Sequence, residues 1–163
     1  MNQNPFGKLF SLAEVKDQSQ RWREKGERIV FTNGVFDLLH PGHVLYLQEA
    51  AALGDRLIVG LNSDRSAKLL NKGPERPIQD EQARATILAA LSMVDAVVLF
   101  EEETPLHLIE SIQPDTLVKG GDYSIEQIVG ADLVLGNGGQ VKQLQFVPGY
   151  STTNIEQKIR NSG

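Results

Sequence analysis

The chain has 163 residues, 40% of them hydrophobic and 23% charged, with a formal charge of −5 and no cysteine. That length suits a single domain able to bury its own core, and the composition excludes collagenous, low-complexity and disordered chains. The negative balance excludes a global basic field for nucleic acid or anionic membrane; the missing thiols exclude disulfide scaffolds, thiol catalysis and cysteine zinc sites.

Taken in chain order, the first ten residues are polar and lack the apolar run of a signal peptide. Ser11 and Glu14 stand at capping-box spacing, and Leu12, Val15 and Trp22 mark one face of a helix over 11–25, ending near Gly26. A strand is expected at 29–33, a loop at 34–41 and a helix at 42–53, closed by Gly54. A second strand at 57–61 leads to a short helix near 66–70 and a loop at 71–79, held open by Pro74 and Pro77. Asp80 caps a helix through Leu91, and 96–100 reads as a strand. Thr104 and Pro105 read as N-cap and first residue of a helix to Ile112. Strands at 116–119 and 141–146 flank short helical pieces, and a last helix starts at Ser151 and reaches about Arg160.

Strands alternating with helices give an α/β domain: a Rossmann-like open parallel sheet of about five strands with helices on both faces. Residues 1–163 form one domain on this reading, with an N-terminal helix within 1–26, a core over 27–150 and a C-terminal helix over 151–163. No stretch approaches the roughly 20 apolar residues of a membrane span, so no membrane partner and a cytoplasmic location are expected.

Ligands of open parallel sheets bind outside the carboxyl ends of the strands. In this chain the polar and glycine-rich stretches follow predicted strands: 34–43, 62–64, 120–122 and 148–153. The dinucleotide fingerprint and the P-loop are both absent, so a phosphate site needs another device. His40-Pro41-Gly42-His43 supplies one. Pro41 fits a helix start, Gly42 admits a ligand close to the backbone, and two imidazoles at a helix N-terminus suit an anion. The same histidines could merely cap the helix, or chelate a metal if His107 joined them. Ser151-Thr152-Thr153 opens the final helix and suits a second phosphate, with plain N-capping by Ser151 as the alternative. Lys72, Arg76, Arg84 and Lys119 are candidate local cations on an acidic protein. Asp122 could meet a sugar hydroxyl, meet a Mg²⁺-bound water or form a turn.

The stretch 31–43, with His40-Pro41-Gly42-His43, resembles the H-x-G-H signature of the cytidylyltransferase-like nucleotidyltransferases, and 149–153 resembles their second phosphate motif, about 110 residues later. From Arg28 to Arg160 the pattern is most similar to the branch that adenylylates D-glycero-D-manno-heptose 1-phosphate, including 50–59, Arg76-Pro77, Val94-Asp95, 102–105 and 117–123. The resemblance implies transfer of AMP from ATP, with Mg²⁺, to a sugar 1-phosphate. It implies catalytic roles for His40 and His43, and nucleotide contacts at Asn33, Gly34, Val35, Phe36, Asp37, Gly42, Ser151, Thr152 and Thr153. Lys72, Arg84 and Lys119 would hold substrate phosphate, with no protein side chain bound directly to metal. Some relatives have cysteine where Val35 or Tyr150 stands, and bifunctional ones carry Glu-Gln where Gln82-Ala83 stands. Those bifunctional relatives also have a sugar-kinase domain ahead of this region. Here the kinase is expected as a separate protein, and the transferase as a homodimer or higher homo-oligomer. Glycerol 3-phosphate cytidylyltransferase shares both motifs and is the enzymatic rival; a nucleotide-binding module that has lost catalysis is the other alternative.

Overall fold

Continuous apolar runs, the mark of strands covered on both faces, form the centre of the computed structural model, which describes residues 3–163; the first two residues of the expected domain lie outside it. The strands are β1 (Leu9–Phe10), β2 (Ile29–Gly34), β3 (Arg56–Asn62), β4 (Ala96–Phe100), β5 (Thr116–Gly120) and β6 (Gln140–Leu144). All pair in parallel, in the order β1-β4-β3-β2-β5-β6. Alternation along β2 divides the core. Ile29 and Phe31 face a cluster built on α1 (Leu12–Glu24), α5 (Leu106–Ile112) and α6 (Ala131–Gly136). Val30 faces the other cluster, built on α2 (Pro41–Ala51) and α4 (Glu81–Ala90). The short α3 (Asp64–Lys68) follows β3, and α7 (Thr152–Asn161) closes the chain without a single buried side chain.

The chain runs from β2 outward through β3 and β4, then crosses back to place β5 on the other side of β2. The switch point therefore lies between β2 and β5. These strands are paired at Val30–Thr116 and Phe31–Leu117 only, whereas β2 stays paired with β3 as far as Gly34. The sheet thus opens toward its carboxyl edge at the place where the topology reverses, which is where an α/β sheet accepts a ligand. Among the described residues no helix is long and apolar enough to cross a membrane.

Two expectations change. The sheet has six strands rather than about five, because Leu9–Phe10 pairs with β4 at the edge; two residues are too few to show an alternating pattern. The helix expected to start at Pro105 with Thr104 as its cap begins at Leu106, with Pro105 as the N-cap and no side-chain cap bond. Proline has no N–H to satisfy, and its carbonyl takes the Ile109 amide at 3.0 Å. The capping box of α1 forms as expected: Ser11 accepts from the Glu14 amide, and Glu14 accepts from the Ser11 amide at 2.7 Å.

Candidate active site

The loop leaving β2 is bent by two non-glycine residues in the left-handed region, Phe36 at φ 51° and Leu38 at φ 49°. Such a residue costs about 1–3 kcal/mol and persists only when its surroundings fix it. Here they do. The buried Phe36 ring lies back over Gly34, where a Cβ would come within 2.9 Å of it, and it meets the His43 ring edge-on at 5.4 Å. The buried Asp37 carboxylate accepts from the amides of Ile78 (2.7 Å) and Gln79 (3.0 Å), and its backbone carbonyl accepts from the Thr152 hydroxyl at 2.7 Å.

This bend delivers the histidines. His40 is the N-cap of α2, Pro41 its first residue, and the two imidazoles stack at 3.8 Å with 22° between planes. The His40 amide donates to His43 Nδ1 at 3.3 Å. An accepting Nδ1 places the His43 proton on Nε2, so this ring is a neutral donor. Burial first, then the neighbouring His40 and Lys72, push the His43 pKa down to about 4, and burial lowers that of His40. Gly42 is required beneath the pair: a Cβ there would lie 2.9 Å from His40 Cε1 and 3.1 Å from Tyr150 Cβ. Tyr150 in turn stacks on His40, with ring centroids 6.4 Å apart.

Lys72 and Lys119 share this electrostatic neighbourhood. Lys119, half-buried at the end of β5, is pushed down by burial and then by the charge of Lys72, the same charge that acts on His43. Neither lysine forms an ion pair among the described residues. Asp122 is exposed just beyond β5, and Asn33, Gly34 and Val35 stand half-buried at the end of β2. At the start of α7, Ser151 accepts from the Asn154 amide at 3.0 Å and Thr153 is exposed. The capping alternative for Ser151 is thus present: its oxygen caps the helix.

Arg84, expected among the phosphate-binding cations, is instead committed inside the fold. Its side chain is wholly buried; Nη1 donates to Val35 O and Asn62 O, both at 2.8 Å, Nε to Gln79 O, and Nη2 pairs with Asp64 at 2.8 Å. A guanidinium so engaged shapes the crevice by tying the ends of β2 and β3 together. Asp37 and Thr152 are likewise held by protein partners, so their side chains brace the site from behind. His107 sits exposed on α5 beside Glu110, and no cluster of three metal-ligating side chains occurs among the described residues.

Arg76, another candidate cation in the sequence, bridges Asp37 (3.7 Å) and Glu156 (3.0 Å). Other contributors were not singled out from sequence. The exposed Phe146 ring covers Gly120, where a Cβ would meet it at 2.8 Å, and Gln143 donates to Gly121 O. The buried Tyr46 and Thr32 hydroxyls share a 2.7 Å hydrogen bond, while burial raises the phenol to about 12. The sequence marks 120–122 only as a glycine-rich strand end; the aromatic that covers Gly120 lies too far along the chain to be paired with it by pattern.

The family described as cytidylyltransferase-like matches residues 31–158. The bifunctional protein HldE of Magnetococcus marinus is 57% identical over 152 residues, which is 93% of this chain and 31% of that protein. HldE of Caulobacter vibrioides is 58% identical over 150 residues, 90% of this chain and 31% of that one. The chain thus spans under a third of the length of these curated relatives. Among solved structures, a lipopolysaccharide core biosynthesis protein from Thermoplasma volcanium superposes with a TM-score of 0.60 at 32% identity, covering 75% of this chain and 98% of its own. A pantoate-beta-alanine ligase from Francisella tularensis, at TM-score 0.64 and 15% identity, covers 94% of this chain and 77% of its own and shares the fold.

Proposed function

Because the chain belongs to the cytidylyltransferase-like family, we propose that it transfers AMP from ATP to D-glycero-D-manno-heptose 1-phosphate, forming ADP-heptose and pyrophosphate. A sugar-phosphate oxygen forms the new bond to the α-phosphorus, and the bond from that phosphorus to the bridging oxygen breaks, so pyrophosphate carries away the electron pair. A phosphate monoester with a second pKa of about 6 is already largely dianionic near neutrality and needs no general base. The observation that carries the proposal is the neutral histidine pair stacked at the N-terminus of α2, with unpaired Lys72 and Lys119 in its neighbourhood. Donors and cations are what an in-line phosphoryl-type transfer needs from a protein.

On this reading His43 Nε2–H and His40 donate to the charge that builds on the α-phosphate. The amides and hydroxyls at the start of α7 hold the outer phosphates, and Lys72 and Lys119 hold the acceptor phosphate. Mg²⁺ would come with the triphosphate and neutralise charge there, and exposed Asp122 would meet it through bound water. The bifunctional name of the HldE relatives fits a chain that matches under a third of their length and performs one of two activities. The Thermoplasma protein's link to lipopolysaccharide core biosynthesis supports a sugar nucleotide as product. A kinase-type reaction at the sugar must supply the acceptor, and the cytoplasm and a homo-oligomer are the proposed setting.

The test crosses ATP and CTP with heptose 1-phosphate and glycerol 3-phosphate in the presence of Mg²⁺ and follows pyrophosphate release. Turnover is expected with ATP and heptose 1-phosphate. Turnover confined to CTP and glycerol 3-phosphate would replace this reading with the cytidylyltransferase, and no turnover with any pair would favour a non-catalytic module.

A further inference from the structure

The helix that carries the second phosphate motif is attached to the domain in an unusual way. None of the side chains of α7 is buried. It is held by the Thr152 hydroxyl on Asp37 O and by ion pairs to the loop 71–79, Glu156 with Arg76 at 3.0 Å and Arg160 with Glu75 at 2.6 Å. Glu156 also accepts from Arg160 at 2.8 Å, which makes one chain of alternating charges from the helix to the loop. That loop carries Lys72, and Arg76, only 14% exposed, reaches past it to the Asp37 carboxylate at 3.7 Å. Asp37 itself grips the loop through the Ile78 and Gln79 amides.

From this geometry we infer that Arg76 and Glu156 are positioning residues that couple the α7 phosphate cradle to the Lys72 loop, so that occupancy of one orders the other. The inference rests on the nucleotidyl-transfer reading above. A segment with no core anchor opens locally at little cost, so its order depends on the few contacts it does make. Triphosphate at the start of α7 fixes the helix; the fixed helix holds Glu156; Glu156 holds Arg76, and the loop then presents Lys72 in one place. Coupling of this kind is reciprocal, so an acceptor phosphate at Lys72 must tighten the nucleotide by the same factor. One partly exposed ion pair supports a factor on the order of two- to fivefold.

Hydrogen exchange with the α,β-methylene ATP analogue AMPCPP, whose α–β bridge cannot be cleaved, and Mg²⁺ tests this without requiring the acceptor to be known. In the unmodified protein the analogue should slow exchange in both α7 and 71–79. In Glu156→Gln it should still slow α7, while the protection gained by 71–79 falls about two- to fivefold. Raising NaCl to about 0.5 M should bring the unmodified protein toward the same behaviour, because salt screens the pair. Thermal melts of both proteins identify any loss of fold, and Glu156→Asp, which keeps the charge, should restore part of the coupling. Equal protection of 71–79 in the unmodified protein and Glu156→Gln overturns the inference while leaving the functional reading intact. Protection in neither segment, with no analogue bound, overturns both.

Discussion

Gly42→Ala separates the placement of His40 from the stability of the fold. The new methyl would sit 2.9 Å from His40 Cε1, 3.0 Å from His40 Nδ1 and 3.1 Å from Tyr150 Cβ. Carbon atoms in comfortable contact stand about 3.5–4.0 Å apart, so the imidazole has to retreat by about half an ångström or more. Overpacking costs roughly 1–3 kcal/mol, but alanine regains up to about 1 kcal/mol of helix propensity, and a half-buried histidine and an exposed tyrosine can both yield. The net cost is therefore about 0–2 kcal/mol, a Tm shift of roughly 0–8 °C for a chain of this size. Catalysis has no such latitude, since a misplacement near 1 Å can cost about 10²-fold. Pyrophosphate release at saturating ATP and heptose 1-phosphate should fall about 10- to 100-fold, with the folded state retained. Gly136→Ala, at the end of α6 with nothing within 4 Å of its Cβ, serves as the control and should keep full activity. Full turnover by a folded Gly42→Ala protein would refute the claim that the stacked pair must sit where α2 now holds it.

Arg84→Leu should lose about 3–5 kcal/mol of stability in urea titration, because it leaves Asp64 and three carbonyls without their donor; unchanged stability with a raised KM would instead make Arg84 a phosphate ligand. His43→Ala should lower kcat by about 10² or more with less change in the KM for ATP, and unaltered turnover would remove the proposed donor. The pH dependence of stability has a definite sign. An unfolded His43 takes up its proton near pH 6.5 and the folded one near 4, so acidification destabilises the fold progressively between those values. Melting temperatures of the unmodified protein should drop through that window more steeply than those of His43→Asn; parallel profiles would show that His43 is not held neutral.

The strand-end rule made the site legible before any side chain was placed. It singled out 34–43, 120–122 and 148–153, and the divergence of β2 from β5 beyond Phe31 supplies the opening between them. Local patterns also revealed the capping box at Ser11 and the helix start at Pro41, because both depend on neighbours three or four residues away. What escaped was long-range commitment. A lysine without an ion pair and an arginine locked among carbonyls look alike as letters. Only the partners of Arg84, at Asn62 and at Val35, 22 and 49 residues distant, distinguish them. The same holds for Asp37, whose amide partners lie 41 and 42 residues away. The edge strand Leu9–Phe10 escaped for a simpler reason: its identity resides in the partner β4 rather than in its own two residues.

On the proposed reading, sorting the charges by commitment explains how an acidic chain would offer a pocket to two anions. The arginines nearest the crevice are spent on structure: Arg84 on three carbonyls and Asp64, Arg76 on Asp37 and Glu156. A planar fork with several fixed donors is suited to such work, whereas an ammonium on a flexible stem is suited to meeting a mobile phosphate. Lys72 and Lys119 are the crevice cations left without an ion pair among the described residues, and the charge of Lys72 raises the cost of charge on His43 and on Lys119. Burial disfavours charge on both imidazoles, and on His43 the neighbouring His40 and Lys72 add to it. A neutral imidazole still donates through Nε2–H, and the His40 amide on Nδ1 holds His43 in that tautomer. On the proposed reading these donors meet negative charge as it develops on the α-phosphate, which concentrates stabilisation on the transition state rather than on the bound substrate.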